Sequence, residues 1–350
     1  MQKKLIAMAI AGLAAVPAFA QSNVTIYGRV DMGYRTFTND GKATLQDEES
    51  SNRWGIQGEE DLGGGLKAFF QLENRFYLDN GNQNTTRQWK DKAWVGLKHN
   101  NLGAVSFGRV ASAAYSLYGG AYEAFGGDTI GSMPNRRGKR TDNWDNAAKY
   151  ESPNFGGVFK AVATLGLGEN NPANNETRYG IGGQLTLGDF KAEALYQKDT
   201  LNDTPAAAGA AGSGAGASPW KTWFVTANYN FKVVEIFGGY TESKGYNVPA
   251  LQNDGAKYKV YQAGFRVPVG AGTVMGNAGR ITERAADSAG GAKKEPLTHY
   301  ALGYWYNLSK RTILMANLSY ERQKNGFTDA NSATKADNSF GTEVAIRHTF

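Results

Sequence analysis

Residues Val24–Arg35 read VTIYGRVDMGYR, and the stretch alternates with a period of two. Val24, Ile26, Gly28, Val30, Met32 and Tyr34 fall on one face of an extended chain, and Thr25, Tyr27, Arg29, Asp31, Gly33 and Arg35 fall on the other. Successive side chains of a β-strand point to opposite sides, so this spacing predicts a strand with one apolar and one polar face. The polar face carries Arg29 and Asp31. A dry core would charge heavily for both, so that face is expected to meet water.

The same alternation recurs along the chain. Leu66, Ala68, Phe70, Leu72 and Phe76 oppose Lys67, Gln71, Glu73 and Arg75, and Phe190, Ala192, Ala194 and Tyr196 oppose Lys191, Glu193 and Gln197. Tyr300, Leu302, Tyr304, Tyr306 and Leu308 share a face, and the last stretch, SFGTEVAIRHTF, sets Phe340, Val344, Ile346, His348 and Phe350 against Gly341, Glu343, Ala345, Arg347 and Thr349. A soluble sandwich also alternates, but two features point away from it. The apolar faces begin and end in aromatic residues, as membrane barrels do at their two interfaces. The connections also alternate in length. Short ones are expected at 61–66, 100–103, 152–157, 187–190, 230–235, 268–273 and 308–312. Long ones are expected near 37–51, 78–90, 110–143, 167–177, 198–219, 244–257, 284–297 and 323–338.

These connections imply an all-β chain, a 16-stranded antiparallel transmembrane β-barrel with tight turns on one side and long loops on the other. Closure leaves no unpaired edge in lipid, where each unsatisfied backbone group costs several kcal/mol. A barrel of roughly 16–18 strands encloses an aqueous channel rather than a packed core. Inward charges such as Arg29, Asp31, Lys67, Glu73, Arg75 and Arg178 then face water and tune what passes.

Composition agrees. The chain has 45 glycines, 18 tyrosines, 9 prolines and no cysteine, and its mean hydropathy is −0.48. An average polarity of this kind, combined with many aromatics, suits strands whose two faces cancel. The N-terminus reads as a secretory signal peptide, residues 1–20. MQKK precedes the twelve-residue apolar run LIAMAIAGLAAV, and AFA at Ala18–Ala20 is a small-x-small cleavage site. The run is too short to cross a ~30 Å hydrocarbon core, which takes about 20 residues. The mature barrel is expected over 21–350. Loss of Lys3 and Lys4 leaves 36 Lys+Arg against 32 Asp+Glu, a mild net +4 in place of +6.

Catalysis is not expected. The three histidines, His99, His299 and His348, are isolated, cysteine is absent, and no base beside a nucleophile is evident. No phosphate loop or metal-spaced cluster appears, so neither a cofactor nor a dedicated metal site is expected. Asp47, Glu48 and Glu49 in the first long loop read either as divalent-cation ligands or, more ordinarily, as solvated surface. The insert PAAAGAAGSGAGASP (205–219) is a flexible, uncharged loop tip.

Several motifs, taken in order, carry a resemblance. They are VTIYGRVD, RWGIQGEEDLGGGLKAFFQLE, KAWVGLK, FGR at 107–109, AFGGDT at 124–129, YESPNFGG at 150–157 and the terminal AIRHTF. Together they span essentially the whole mature chain, which resembles the trimeric Gram-negative general diffusion porins, closest to their betaproteobacterial, anion-preferring branch. The resemblance implies an outer-membrane homotrimer in contact with lipid and lipopolysaccharide, assembled by the outer-membrane assembly machinery, with Phe350 as its recognition signal. It also implies passage of small anionic and polar solutes, and no nucleic acid. It further implies that the third long loop, about Val110 to Asn143, folds inward as a constriction. On that pattern Arg29, Arg53 and Lys92 match a basic ladder on the wall, with structural pairing to Glu59 or Glu73 as the alternative. Asp128 matches an acidic position of the loop. Ala124 stands where some relatives carry an acid, and Glu123, one residue back, is the candidate substitute.

The same loop holds MPNRRGKRTDN (133–143), where Arg136, Arg137, Lys139 and Arg140 lie within five residues. In an exported barrel this run is not a nucleic-acid patch. Three placements stand open: pore or vestibule, pins to acidic wall residues, and external contacts with lipopolysaccharide or a neighbouring subunit. The expected function is passive, weakly anion-selective diffusion. A substrate-specific channel, suggested by Tyr115, Tyr118, Tyr122 and Phe125, and an adhesin or receptor acting through the external loops are the alternatives.

Overall fold

The structure is a computed structural model. It describes residues 23–38, 43–47, 52–83, 87–117, 123–127, 129–134, 138, 142–167, 177–200, 219–246, 255–285, 290–322 and 338–350. The strands are β1 (Asn23–Phe37), β2 (Ala43–Asp47), β3 (Arg53–Gly63), β4 (Leu66–Arg75), β5 (Lys92–His99), β6 (Gly103–Ala111), β7 (Asn143–Glu151), β8 (Phe159–Gly166) and β9 (Arg178–Leu187). They continue as β10 (Phe190–Thr200), β11 (Pro219–Asn230), β12 (Glu235–Gly245), β13 (Lys257–Val269), β14 (Gly272–Arg284), β15 (Leu297–Asn307), β16 (Thr312–Arg322) and β17 (Asn338–Thr349). One helical turn, α1 (Ala113–Ser116), follows β6 and is capped by Ser112, whose hydroxyl accepts from the Tyr115 N–H.

The 17 segments make 16 staves. β2 and β3 lie on the same side of β1. Its lower half pairs with β3 (Arg29 opposite Arg53) and its upper half with β2 (Met32 opposite Asp47), so β2 and β3 together make the second stave. Every later stave pairs antiparallel with the next, and β17 returns to β1. Closure is tight. Gly28 and Phe350 exchange both backbone hydrogen bonds at 3.0 Å, and the Phe350 ring fills the space a side chain at Gly28 would need.

All seven short turns fall where the sequence places them. The sharpest is Gly63-Gly64-Gly65, with φ of 84°, 60° and 84°. Residues with a Cβ rarely hold that conformation singly, and three in a row require glycine. The pleat sorts the side chains as the alternation predicts. In β16, Leu314, Leu318 and Tyr320 point outward and are exposed, whereas Met315, Asn317 and Ser319 point inward and are buried. The first long loop contains β2, which the sequence reading leaves as loop.

Candidate functional site: the inner face of the barrel

The inner face of β1, β3, β4 and β5 carries a compact basic row. Arg29 sits opposite Arg53 and Arg53 opposite Arg75, on three adjacent strands. One pleat below, Glu73 sits opposite Lys92. Glu73 is fully buried. It accepts from the Tyr27 hydroxyl at 2.8 Å and from Lys92 Nζ at 2.9 Å, with Arg75 Nη2 3.5 Å away. Arg53 lies within electrostatic reach of the same carboxylate. Arg75 in turn donates to Asp91 (Nε–Oδ2 2.8 Å) and to the Tyr115 hydroxyl (3.2 Å).

Other inward carboxylates are likewise engaged. Asp31 holds Arg347 at 2.6 Å, Glu343 holds Arg35 at 2.7 Å, and Asp145 holds Arg87 and Arg109 at 2.6 and 2.7 Å. Arg178 stacks over Trp144 at 5.5 Å and donates to the Asp145 carbonyl. Arg53 makes no ion pair among the described residues. It therefore stands as an inward guanidinium whose charge is shared only at a distance, and guanidinium binds carboxylate and phosphate bidentately while staying charged.

The opposite wall is different. Inward residues of β8, β10 and β11 include Val162, Leu195 and Phe224, and those of β11, β13, β14 and β15 include Trp220, Tyr258, Val260, Ile281 and Leu297. Apolar side chains on an inward face lose contact with water only when something covers them. The described residues between β6 and β7 do so. Ala113, Ala114 and Leu117 pack on Val162, Leu195 and Phe224. Ala124 and Phe125 pack on Phe237 and Met275, with Trp305 edge-on to Phe125 at 6.3 Å. Met133 packs among Tyr258, Ile281 and Leu297. Wall glycines make the room. A Cβ on Gly180 would meet Ala113 at 2.9 Å, one on Gly303 the Phe125 ring at 2.7 Å, and one on Gly279 the Met133 methyl at 2.8 Å.

Hydrogen bonds fix the same contacts. Arg266 donates to the carbonyls of Ala124 (2.6 Å) and Glu123 (3.2 Å), and Gln197 accepts from the Ala114 N–H at 3.1 Å. His299, fully buried, bridges Glu321 and the Gly131 carbonyl, each at 3.2 Å. This is a structural role.

The individual expectations fall out as follows. Arg29, Arg53 and Lys92 share one wall, and Lys92 takes the Glu73 pairing that was the alternative. Glu123 is 4 % exposed. It accepts from the Met133 N–H (3.0 Å) and Asn277 Nδ2 (3.1 Å), so it fastens the segment to the wall instead of presenting a carboxylate to water. Asp128, Arg136, Arg137, Lys139 and Arg140 lie outside the described residues, as do the signal peptide, most of the 205–219 insert, Tyr118 and Tyr122. Phe125 is packed against Trp305, which removes it from any aromatic track. Arg75, inward by the alternation, joins the row in the structure. Its place there depends on the register of three strands, which no short motif announces.

A closed barrel of 16 staves, apolar outside and charged within, defines an outer-membrane channel. Comparison with known proteins specifies it further. The Gram-negative porin family model matches residues 7–326, and the chain belongs to that family. It is 30 % identical to the outer membrane porin protein 32 of Delftia acidovorans and 27 % identical to an outer membrane porin protein of Bordetella pertussis, each over the full length of both chains. Its structure superimposes on an anion-selective porin from Comamonas acidovorans with a TM-score of 0.73 at 26 % identity, covering 94 % of this chain and 100 % of that one. The protein is an outer-membrane porin, a channel for passive diffusion.

Proposed function

We propose that this porin is a weakly anion-preferring general diffusion channel for ions and small hydrophilic solutes, narrowed by the segment between β6 and β7. The observation that carries the reading is Arg53, inward, flanked by Arg29 and Arg75, and without an ion pair among the described residues, while the nearby carboxylates Glu73 and Asp91 are already engaged. A low-dielectric wall focuses such a field. Unit charges 4 Å apart at an effective dielectric near 20 interact by about 4 kcal/mol before screening, so even a fraction of this separates anions from cations. The named relative from Comamonas acidovorans supports the sign. The contacts of Ala113, Phe125 and Met133 with inward wall residues support the narrowing, and the 133–143 run adds positive charge to the same segment. Measurement of reversal potential in a planar bilayer under a salt gradient tests it. A cation-selective sign overturns the reading.

The same reading includes cleavage of residues 1–20, a homotrimer, outer-membrane lipid and lipopolysaccharide around it, and Phe350 as the signal to the assembly machinery. The seat of the Phe350 ring against Gly28 at the closing seam supports a terminal aromatic there. It is consistent with both assembly and packing roles.

A further inference from the structure

A second basic array lies inside the barrel, where the strands meet the short turns. Lys67, Lys160 and Lys191 are each the second residue of a strand (β4, β8 and β10), and Lys98 is the next to last of β5. Lys67 sits opposite Lys98. From Lys98 the row runs through Ala104, Glu151 and Val162, and Val162 faces inward, packed with Leu117. One pleat closer to the turns, Lys160 sits opposite Gln184. Gln184 sits opposite Glu193, and Lys191 follows one pleat closer to the turns again. The four lysines line one cavity of about 780 Å³, between Ser116 and Leu117 at the end of α1 and the short turns at 100–103 and 152–157. Sites for small ligands typically span about 300–1,000 Å³.

The four are not equivalent. Lys67 and Lys98 share the Glu59 carboxylate, Lys67 at 2.7 Å. Two carboxylates line the cavity, and both are engaged. Glu151 holds Lys149 at 2.8 Å, and the buried Glu193 accepts from Gln184 Nε2 at 2.8 Å. Lys160 is exposed and Lys191 half-buried. Neither ammonium makes an ion pair among the described residues. Their cross-strand neighbours, Gln184 for Lys160 and Thr186 and Asn228 for Lys191, are uncharged. Opposite charges across a sheet stabilise it, and these two cations have none.

Lys160 and Lys191 stand two strands apart, about 10 Å across the sheet. Each ammonium is a compact point charge on a flexible four-carbon stem, so both can converge on one solute in the cavity. A monovalent ion satisfies one of them and is held no better than by any exposed lysine. An ion with two or three charges satisfies both. Each contact contributes roughly fivefold, so the pair gives about twenty-five-fold.

Resting on the reading of this chain as a diffusion channel, we propose that the cavity is a binding site for a small polyvalent anion, carboxylate or phosphate, held by Lys160 and Lys191 on the short-turn side of the segment between β6 and β7. Lys67 and Lys98, already offset by Glu59, form its far rim. This site is separate from the row of Arg29, Arg53 and Arg75, and its ligand is selected by charge number instead of by the fork geometry of guanidinium.

The test is single-channel recording from the full-length chain refolded into planar bilayers. Tricarballylate and inorganic pyrophosphate are titrated, with acetate at matched ionic strength as the monovalent probe. In the wild type both polyvalent anions should reduce the current saturably, at least about tenfold more tightly than acetate, and the tighter of the two identifies the source of the ligand. The double variant Lys160→Gln, Lys191→Gln should lose about tenfold or more of that affinity. Its conductance in about 1 M salt should stay unchanged, because the Debye length there is about 3 Å. Block by acetate as tight as by the polyvalent anions overturns the proposal, as does block by only one of the two, or block that survives the double variant. The wild-type comparison decides even where the variant does not insert. A wild type that conducts but shows no saturable block sinks this site alone, whereas one that forms no channel sinks the reading on which it rests.

Discussion

The inner surface of this barrel is two surfaces. From β17 through β1 to β7 the inward side chains form ion pairs: Asp31 with Arg347, Glu343 with Arg35, Glu73 with Lys92, Asp145 with Arg109. From β8 to β15 many are apolar and covered by the segment after β6, with Phe125 and Met133 as the main anchors. The ionic half holds its carboxylates largely out of water, and each is offset by a cation beside it. The apolar half is tolerated only because chain lies over it. An inward apolar residue in this barrel therefore marks where the segment after β6 lies, and an inward carboxylate marks where a neighbouring strand supplies a cation.

Substitutions on each side should separate the two roles. The largest effect is expected from Phe125→Ala, which empties the seat between Trp305, Phe237 and Gly303. Loss of a buried aromatic costs about 3–5 kcal/mol, here against the hold of one segment on the wall. Single-channel conductance should rise and become noisier, and an unchanged conductance would show that the segment does not depend on this anchor. On the ionic side, Glu73→Gln removes the charge that Lys92 and Tyr27 share, at about 2 kcal/mol for a charged hydrogen-bond partner. Heat-modified gel mobility should report a lower unfolding temperature, while anion preference rises because Lys92 and Arg53 lose a nearby negative charge. Both shifts are needed, since a purely structural Glu73 would move stability alone.

Arg53→Ala is expected to leave stability intact and lower the anion-to-cation permeability ratio roughly fivefold, the effect of about 1 kcal/mol from one charge near the water limit. Reversal potentials read this directly. The smallest effect comes from solvent. Between about 0.1 M and 1 M salt the Debye length falls from about 10 Å to 3 Å, so the preference should fade with concentration in the wild type and change little in Arg53→Ala.

Much of this was legible in the sequence. Turn chemistry is local, and Gly63-Gly64-Gly65 or the loop at 187–190 announces itself in a few residues. Period two then places Tyr27, Glu73 and Arg29 on the watery side without any knowledge of neighbours. Leu195 shows where that reading stops. It lies on the polar face with Lys191, Glu193 and Gln197, and only the seat of Leu117 and Ala114 against it explains why it is apolar. Adjacent rows were equally out of reach. Arg29, Arg53 and Arg75 are far apart in the chain and become neighbours through register, as do Lys67 and Lys98. The sequence makes Glu123 a charge facing the pore, and nothing in it announces that Asn277 and the Met133 N–H meet its carboxylate.

The wall glycines have a consequence for exchanging parts between related channels. Gly180, Gly279 and Gly303 are indentations cut to Ala113, Met133 and Phe125. The segment and the barrel are therefore matched like a key and its wards. A loop transplanted from a relative into this barrel would meet recesses in the wrong places, and would need its own set of wall glycines moved with it.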